Sequence, residues 1–145
     1  MEHMTDAEWR EFVLSGTRTA KVATTRKDGR PHVAPVWFLL DGGDLVFTTG
    51  ERTVKGRALR AGRNRVAICV EDDAPPFSFV VLEGEARYSG YSDDPGALLH
   101  WATRIAGRYM GPDRAEVYGR RNGVPGELLV RVRIDKAVAQ RAIAE

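Results

Sequence analysis

The sequence predicts a mainly β domain: a small antiparallel barrel of six or seven strands, decorated with a few helices. Asp28-Gly29 and Gly42-Gly43 each separate two short runs of apolar and β-branched residues, which is the pattern of hairpins. Residues 127–134 alternate polar and apolar side chains, as a half-buried strand does. The 145 residues contain no repeat and no linker, so we expect one domain over residues 1–145.

The first elements follow from a capping motif and from turns. Thr5 and Glu8 fit a capping box, which predicts a short amphipathic helix over residues 6–15. Because the turns after it are short, the next strands are expected to pair as a local three-stranded meander. These strands are predicted over residues 19–25, 33–40 and 45–49.

The second half of the chain mixes helices with longer strands. Helices are predicted over residues 53–62, 93–106 and 112–118 from apolar spacing and capping residues. The predicted strands are residues 66–71, apolar on both faces and therefore central, residues 77–88, and two last strands at 127–134 and 138–143. Gly84, inside the strand over 77–88, predicts a bulge or a bend.

Composition excludes several classes of protein. Lys and Arg number 22 against 20 Asp and Glu, and a net charge of +2 gives no global signal for nucleic acid or membrane. The longest apolar runs are far shorter than the ~18 residues of a membrane span. The single cysteine, Cys69, cannot form an internal disulfide, which favours a reducing, cytoplasmic location.

No signature of a self-sufficient catalytic site is present. The glycines lie in predicted hairpin turns and do not form a phosphate loop of the usual spacing. His3, His32 and His100 are scattered and Cys69 lies in an apolar strand, so a zinc site is not predicted. No Ser-His-Asp grouping can be assembled. Any chemistry is therefore expected to be carried by a bound molecule.

The segment from Thr48 to Arg57 predicts a phosphate anchor. A strand ends in the hydroxyls of Thr48 and Thr49, and a helix start follows with Arg52, Lys55 and Arg57. Hydroxyls, free backbone amides and cations are the groups that hold a phosphate ester. The alternative interpretation is a solvated basic face of a surface helix.

Four aromatic residues supply candidate surfaces for a planar ring: Trp37, Phe38, Phe77 and Phe79. In a small barrel at least two of the four are expected to be core residues. If one side of the strand that carries Trp37 faces a cleft, its backbone and ring form an apolar wall. An apolar wall beside a phosphate anchor suits a planar, phosphorylated cofactor.

The order of motifs along the chain resembles the pyridoxamine-phosphate-oxidase-like split-barrel family. Within that family the chain looks most like the actinobacterial flavin/deazaflavin oxidoreductases that use coenzyme F420. The likeness spans nearly the whole chain, and the order and spacing of the motifs carry it. The motifs are Ala23–Thr25, Asp28–Phe38, Phe47–Thr49, Lys55–Leu59, Asn64–Ala67 and Phe77–Ala86.

The resemblance implies a six-stranded antiparallel split β-barrel of the FMN-binding type, a homodimer with a cofactor site in each groove between subunits. The cofactor phosphate maps onto Thr48, Thr49, Arg52, Lys55 and Arg57. The ring maps onto Pro35, Val36, Trp37 and Phe38, largely through backbone groups, with Phe77 and Phe79 near it. By charge alone, Arg108, Arg120 and Arg121 could meet the oligoglutamate tail of F420.

The activity that this resemblance implies is hydride transfer from reduced F420 to a planar conjugated substrate: an unsaturated lactone, enone, quinone or tetrapyrrole. A proton must follow, from water or from a side chain such as His32 or Tyr109. Two alternatives stay open: an FMN-dependent oxidoreductase on the same barrel, or a binding module for F420, haem or a lipid without turnover.

Overall fold

The computed structural model describes all 145 residues as one eight-stranded antiparallel sheet with four α-helices. The strands are β1 (Glu2–His3), β2 (Ala20–Thr25), β3 (Pro31–Val36), β4 (Leu39–Asp41), β5 (Asp44–Gly50), β6 (Arg65–Asp72), β7 (Ser78–Gly90) and β8 (Glu127–Arg141). The helices are α1 (Asp6–Leu14), α2 (Val54–Arg60), α3 (Pro95–Met110) and α4 (Ala115–Asn122), with a short 3₁₀ helix at Pro112–Arg114.

The strand order is β3-β2-β6-β7-β8-β5-β4, and β1 adds to β8. No hydrogen-bonded pair joins β3 to β4, so the sheet is not closed into a continuous ring. The predicted class, an antiparallel split barrel with a few helices, is confirmed, with eight strands instead of six. The capping box is also present: Glu8 N donates to the Thr5 hydroxyl at 3.2 Å, and Thr5 N donates to the Glu8 carboxylate at 3.0 Å.

The strand predicted over residues 33–40 is interrupted: residues 33–36 lie in β3 and residues 39–40 in β4, and the chain leaves the sheet at Trp37 and Phe38. β3 and β4 lie on either side of this break and do not pair with each other. The Phe38 backbone is bonded to α3 instead: its N–H donates to the Tyr109 hydroxyl at 3.2 Å, and its carbonyl accepts from Arg108 at 2.8 Å. Both hairpins of the predicted meander are present, β2 with β3 and β4 with β5. The break places them at opposite ends of the strand order, so they do not form one continuous meander, and β5 pairs with β8 on its other side.

The two strands predicted at the C-terminal end are one continuous strand, β8. It pairs with β7 from Gly90↔Leu128 to Phe79↔Gln140, and this pairing carries it through the polar stretch at Asp135 and Lys136. The register shifts between Glu83 and Gly84, which confirms the bulge predicted at Gly84. A Cβ on Gly84 would overlap the Arg133 carbonyl, so only glycine fits this close approach.

The core lies inside the curved sheet. Alternate residues of the strands point inward and form one buried cluster, which α1 closes at one side with Trp9 and Val13. On the outer face, Leu98 and Trp101 of α3 pack on Val46 and Leu129. This second cluster fixes α3 over the ends of β5 and β8, and the gap beside it becomes the candidate site.

Candidate functional site

A cleft of about 270 Å³ opens where β3 and β5 end, beside the first turn of α2. It gathers six of the residues that the sequence singled out: Pro35, Val36, Trp37, Thr48, Thr49 and Lys55. The remaining lining residues come from β5, from α3 and from the segment that joins α4 to β8: Gly50, Ala102, Ile105, Asn122 and Glu127. A second depression of about 400 Å³ shares Trp37 and Asn122 with the cleft and extends it along Tyr118 and Arg121.

Lys55 is the cation of this cleft. It is the second residue of α2, it is only 8% exposed, and it forms no ion pair. Burial lowers the pKa of Lys55, and the charge of Glu127 raises it to a lesser extent. Burial likewise raises the pKa of Glu127, against an opposing effect of Lys55. A desolvated ammonium group without a bonded partner favours an anionic ligand.

The threonine hydroxyls near the start of α2 have different roles. Thr53 caps α2: its hydroxyl accepts from Gly56 N at 3.0 Å and lies 2.8 Å from the Gly50 carbonyl, to which it donates. The Thr49 hydroxyl, 3.1 Å from that of Thr53, then supplies the proton between them. The Thr48 side chain makes no hydrogen bond within the chain, so its hydroxyl is the one free to donate to a ligand.

Gly56 is needed because α2 packs directly on the turn after β5. A Cβ at this position would overlap the Gly50 carbonyl and lie 3.0 Å from the Glu51 backbone. Glycine inside a helix is otherwise unfavourable by about 0.5–1 kcal/mol relative to alanine. The close approach that it permits brings Lys55 to the end of β5, where Thr48 and Thr49 lie.

Trp37 forms the aromatic wall of the cleft. Its ring stacks on Tyr109, with 5.1 Å between centroids and 5° between planes, and Tyr118 lies at 6.3 Å, tilted by 53°. The Tyr109 hydroxyl donates to the Arg18 carbonyl at 2.7 Å and accepts from Phe38 N. Burial raises the pKa of Tyr109. With its proton engaged in this way, Tyr109 positions Trp37 and is a poor proton source.

Arg108 is a structural residue. Its Nε donates to the Gly16 carbonyl at 3.1 Å, and its two terminal nitrogens donate to the Phe38 and Val13 carbonyls, each at 2.8 Å. This corrects the expectation that Arg108 meets an acidic tail. Arg120 pairs with Glu116 at 3.6 Å, and Arg121 lies over the Tyr118 ring at 5.7 Å. Of the three arginines, Arg121 alone borders the extended cleft.

Several predicted residues lie outside the cleft. The Phe38 side chain is fully buried in the core and its backbone groups are already bonded. Arg52 lines a separate depression next to Gly50, and Arg57 points away from Lys55 into another pocket. Residues two apart on a helix differ by about 200° in direction, so Lys55 and Arg57 cannot share one phosphate.

Phe77 and Phe79 lie at the far end of the sheet. Phe79 pairs with Gln140 near the end of β8, whereas Thr48 pairs with Leu129 near its start. Within one chain they do not reach the cleft. His32 also lies outside the lining residues, and its Nδ1 is buried without a hydrogen-bond partner.

Sequence reasoning missed Glu127, Asn122 and Tyr118. Glu127 enters the cleft because it pairs with Gly50 at the end of β5. Because α4 folds back on α3, Asn122 lines the cleft and Tyr118 lines the depression that extends it. A Cβ on Gly119 would overlap the Thr103 hydroxyl, so this glycine permits that close packing. The local signal for this close packing was the pair Gly119 and Gly123, which lie about one helical turn apart in a polar segment.

Several known proteins are similar to this chain in sequence and fold. The sequence profile of the family described as pyridoxamine 5'-phosphate oxidase matches residues 5–139. A conserved hypothetical protein of Mycobacterium tuberculosis is 27% identical, with 98% of this chain and 89% of that chain covered and a TM-score of 0.81. A structure described as an F420 reductase is 26% identical, with 88% and 94% covered and a TM-score of 0.65. No curated protein matches the sequence.

A solved structure with lower sequence identity to this chain has the same fold. The heme storage protein of Vibrio cholerae superposes with a TM-score of 0.72 over 97% of this chain and 98% of that chain, at 15% identity.

Two further findings concern the helices and the side chains that could bind a metal ion. No helix combines the length and the apolar character that crossing a membrane requires. No group of three or more His, Cys, Asp or Glu side chains lies together in a way that could hold a metal ion.

Proposed function

The chain belongs to the pyridoxamine 5'-phosphate oxidase family, and from that premise we propose that it is an F420H2-dependent reductase. Membership supports an oxidoreductase of the flavin or deazaflavin type. The likeness to an F420 reductase at 26% identity favours the deazaflavin. The proposed reaction is hydride transfer from reduced F420 to a planar conjugated substrate, with FMN as the alternative cofactor.

The observation that carries the proposal is the combination of Lys55 and Trp37 in one cleft. Lys55 is buried, cationic and without an ion pair, and Trp37 lines the same cleft with its ring supported by Tyr109. A phosphate ester needs the first group and a planar ring needs the second. These residues fit a phosphorylated deazaflavin or flavin.

Each residue of the cleft then has a task. Lys55 and the free Thr48 hydroxyl bind the phosphate, with Thr49 beside them. Pro35, Val36 and Trp37 bind the ring, and Ala102 and Ile105 exclude water from its surroundings. When bound, reduced F420 supplies the hydride, so the chain needs no nucleophile. The substrate takes the hydride at one carbon of a conjugated double bond and a proton from water at the other.

We propose further that the protein acts as a cytoplasmic homodimer with its cofactor sites at the interface. Phe77 is 40% exposed, and Val33, Tyr88 and Val138 are also exposed apolar side chains. Phe77 and Phe79 could approach a cleft only from a second copy of the chain. The family resemblance implies that these two residues lie near the ring. In a dimer they could reach the ring bound in the partner's cleft.

Lys55→Gln tests the assignment of the cleft. Removing the cation is expected to weaken F420 binding by roughly tenfold or more, because a charge-assisted hydrogen bond contributes about 1.5–3 kcal/mol. Arg60→Gln is the matched control, since Arg60 lies on the same helix but outside the cleft. Equal affinities of both variants and the natural chain would refute the site. Tight binding without oxidation of F420H2 by any conjugated acceptor would identify a carrier instead.

A further inference from the structure

The pocket that Arg57 enters, of about 890 Å³, lies on the face of α2 opposite Lys55. It is an open pocket lined by the turn between β2 and β3, by Val54, Arg57 and Ala61 of α2, and by Arg63 after that helix. We propose that this pocket binds a multivalent oxyanion, such as a diphosphate or an oligocarboxylate, independently of the Lys55 cleft. The proposed reductase activity assigns no role to it.

The lining of this pocket concentrates positive charge. Five cationic side chains face a single carboxylate in the lining: Arg26, Lys27, Arg30, Arg57 and Arg63 against Asp28. The chain as a whole carries a net charge of only +2, so this concentration is specific to the pocket. Arg30 pairs with Asp28 at 2.8 Å, and the other four cations form no ion pair. An anion of several charges would neutralise this concentration of positive charge.

Buried polar atoms without hydrogen-bond partners occur in the hairpin next to this pocket. Three such side-chain atoms occur in the chain, and all lie in the hairpin of β2 and β3: Thr24 Oγ1, Arg26 Nε and His32 Nδ1. Thr24 and His32 are cross-strand neighbours, and Arg26 both lines the pocket and carries one of the orphan atoms. Buried polar atoms are normally satisfied, so the unpartnered Nε of Arg26, the member of this group that lines the pocket, is available to an anion bound there.

Arg57 and Arg63 bring two guanidinium groups to the lining of this pocket. Arg63 Nε donates to the Thr25 carbonyl at 2.8 Å, which fixes the side chain against the hairpin and leaves its terminal nitrogens free. Arg57 is exposed on the facing helix, and its side chain makes no hydrogen bond within the chain. Guanidinium groups bind phosphate and carboxylate groups through two parallel hydrogen bonds. Two of them across one pocket suit a ligand with at least two anionic groups.

The test is calorimetric titration of the full chain with pyrophosphate and, separately, with citrate, at low ionic strength. The natural chain is expected to bind one or both. Arg57→Gln/Arg63→Gln is expected to bind at least tenfold more weakly. Arg57→Gln alone is a second variant that removes an exposed side chain and preserves the Arg63 bond to the hairpin. The stronger of the two probes identifies the pocket as one for phosphate or for carboxylate groups.

Two controls distinguish a specific pocket from general charge attraction and from binding in the Lys55 cleft. Arg120→Gln/Arg121→Gln removes the same charge from α4, and Lys55→Gln disables the cleft; both are expected to bind the probe as the natural chain does. An equal loss in the α4 variant would show charge attraction without a site. A loss in Lys55→Gln would place the anion in the cleft, and no binding at all would refute the proposal. None of these outcomes depends on F420 binding.

Discussion

Lys55 and Glu127 show how single residues set the chemistry of the cleft. Both are ionisable, both line one small cavity, and burial opposes the charge of each. Glu127 acts against an anionic ligand when it is ionised, whereas Lys55 attracts one. The raised pKa of Glu127 lessens this conflict, because it favours the neutral acid that can donate a hydrogen bond to phosphate.

The raised pKa of Glu127 predicts a specific pH dependence of stability. The folded state holds the Glu127 proton more tightly than the unfolded chain, whose pKa is near 4.5. The resulting contribution to stability is full below that value and is lost as the pH rises through the folded pKa. Urea unfolding of the natural chain and of Glu127→Gln at several pH values should show the natural chain losing stability relative to the variant from pH 4.5 upward. A constant difference would contradict the burial of this carboxyl.

At the scale of elements, local signals predicted what local interactions determine. The capping box of α1, the bulge at Gly84 and the short basic helix were all found from a few neighbouring residues. The break at Trp37 and Phe38 could not be found in that way. It depends on Arg108 and Tyr109, which lie about seventy residues away and satisfy backbone groups that a strand would have paired.

Gly56→Ala tests the contact between α2 and the end of β5. Alanine normally stabilises a helix interior by about 0.5–1 kcal/mol relative to glycine. Here the new methyl group meets the Gly50 carbonyl, so we expect lower stability and weaker cofactor binding. Gly107→Ala is the matched control in α3, where a Cβ would lie an ordinary 3.5 Å from Ala115 Cβ. Thermal unfolding should show the first variant destabilised and the second unchanged or stabilised; the same gain in both would contradict the close packing.

At the scale of the whole molecule, the cleft combines segments that are distant in the sequence. Residues 35–37 and 48–55 were identified from motifs, but Ala102, Asn122 and Glu127 enter only because β8 pairs with β5 and the two last helices fold together. A sequence without its strand order does not define that meeting point. For the same reason, the distance between Phe77–Phe79 and Lys55 within one chain could not be predicted from the motifs.

The proposed dimer predicts complementation between two inactive variants. Lys55→Gln disables the cleft, and Phe77→Ala/Phe79→Ala removes the aromatic residues offered to a partner's cleft. If each site combines both surfaces from different subunits, mixing the refolded variants restores roughly a quarter of the F420-binding sites, as expected for random pairing in a symmetric dimer. Light scattering provides the control that every species is dimeric. Failure of the mixture to regain any binding, with dimers present, would contradict a shared site.

Titration of the purified chain with F420 and with FMN, followed by tryptophan fluorescence, tests whether the cleft binds the deazaflavin. Of the three tryptophans, Trp9 and Trp101 are buried in the two core clusters, and Trp37 alone lines the cleft. We predict saturable quenching with F420 at micromolar concentrations and a much weaker response to FMN. Preference for FMN would contradict the deazaflavin assignment, and no response to either would contradict the cofactor site itself.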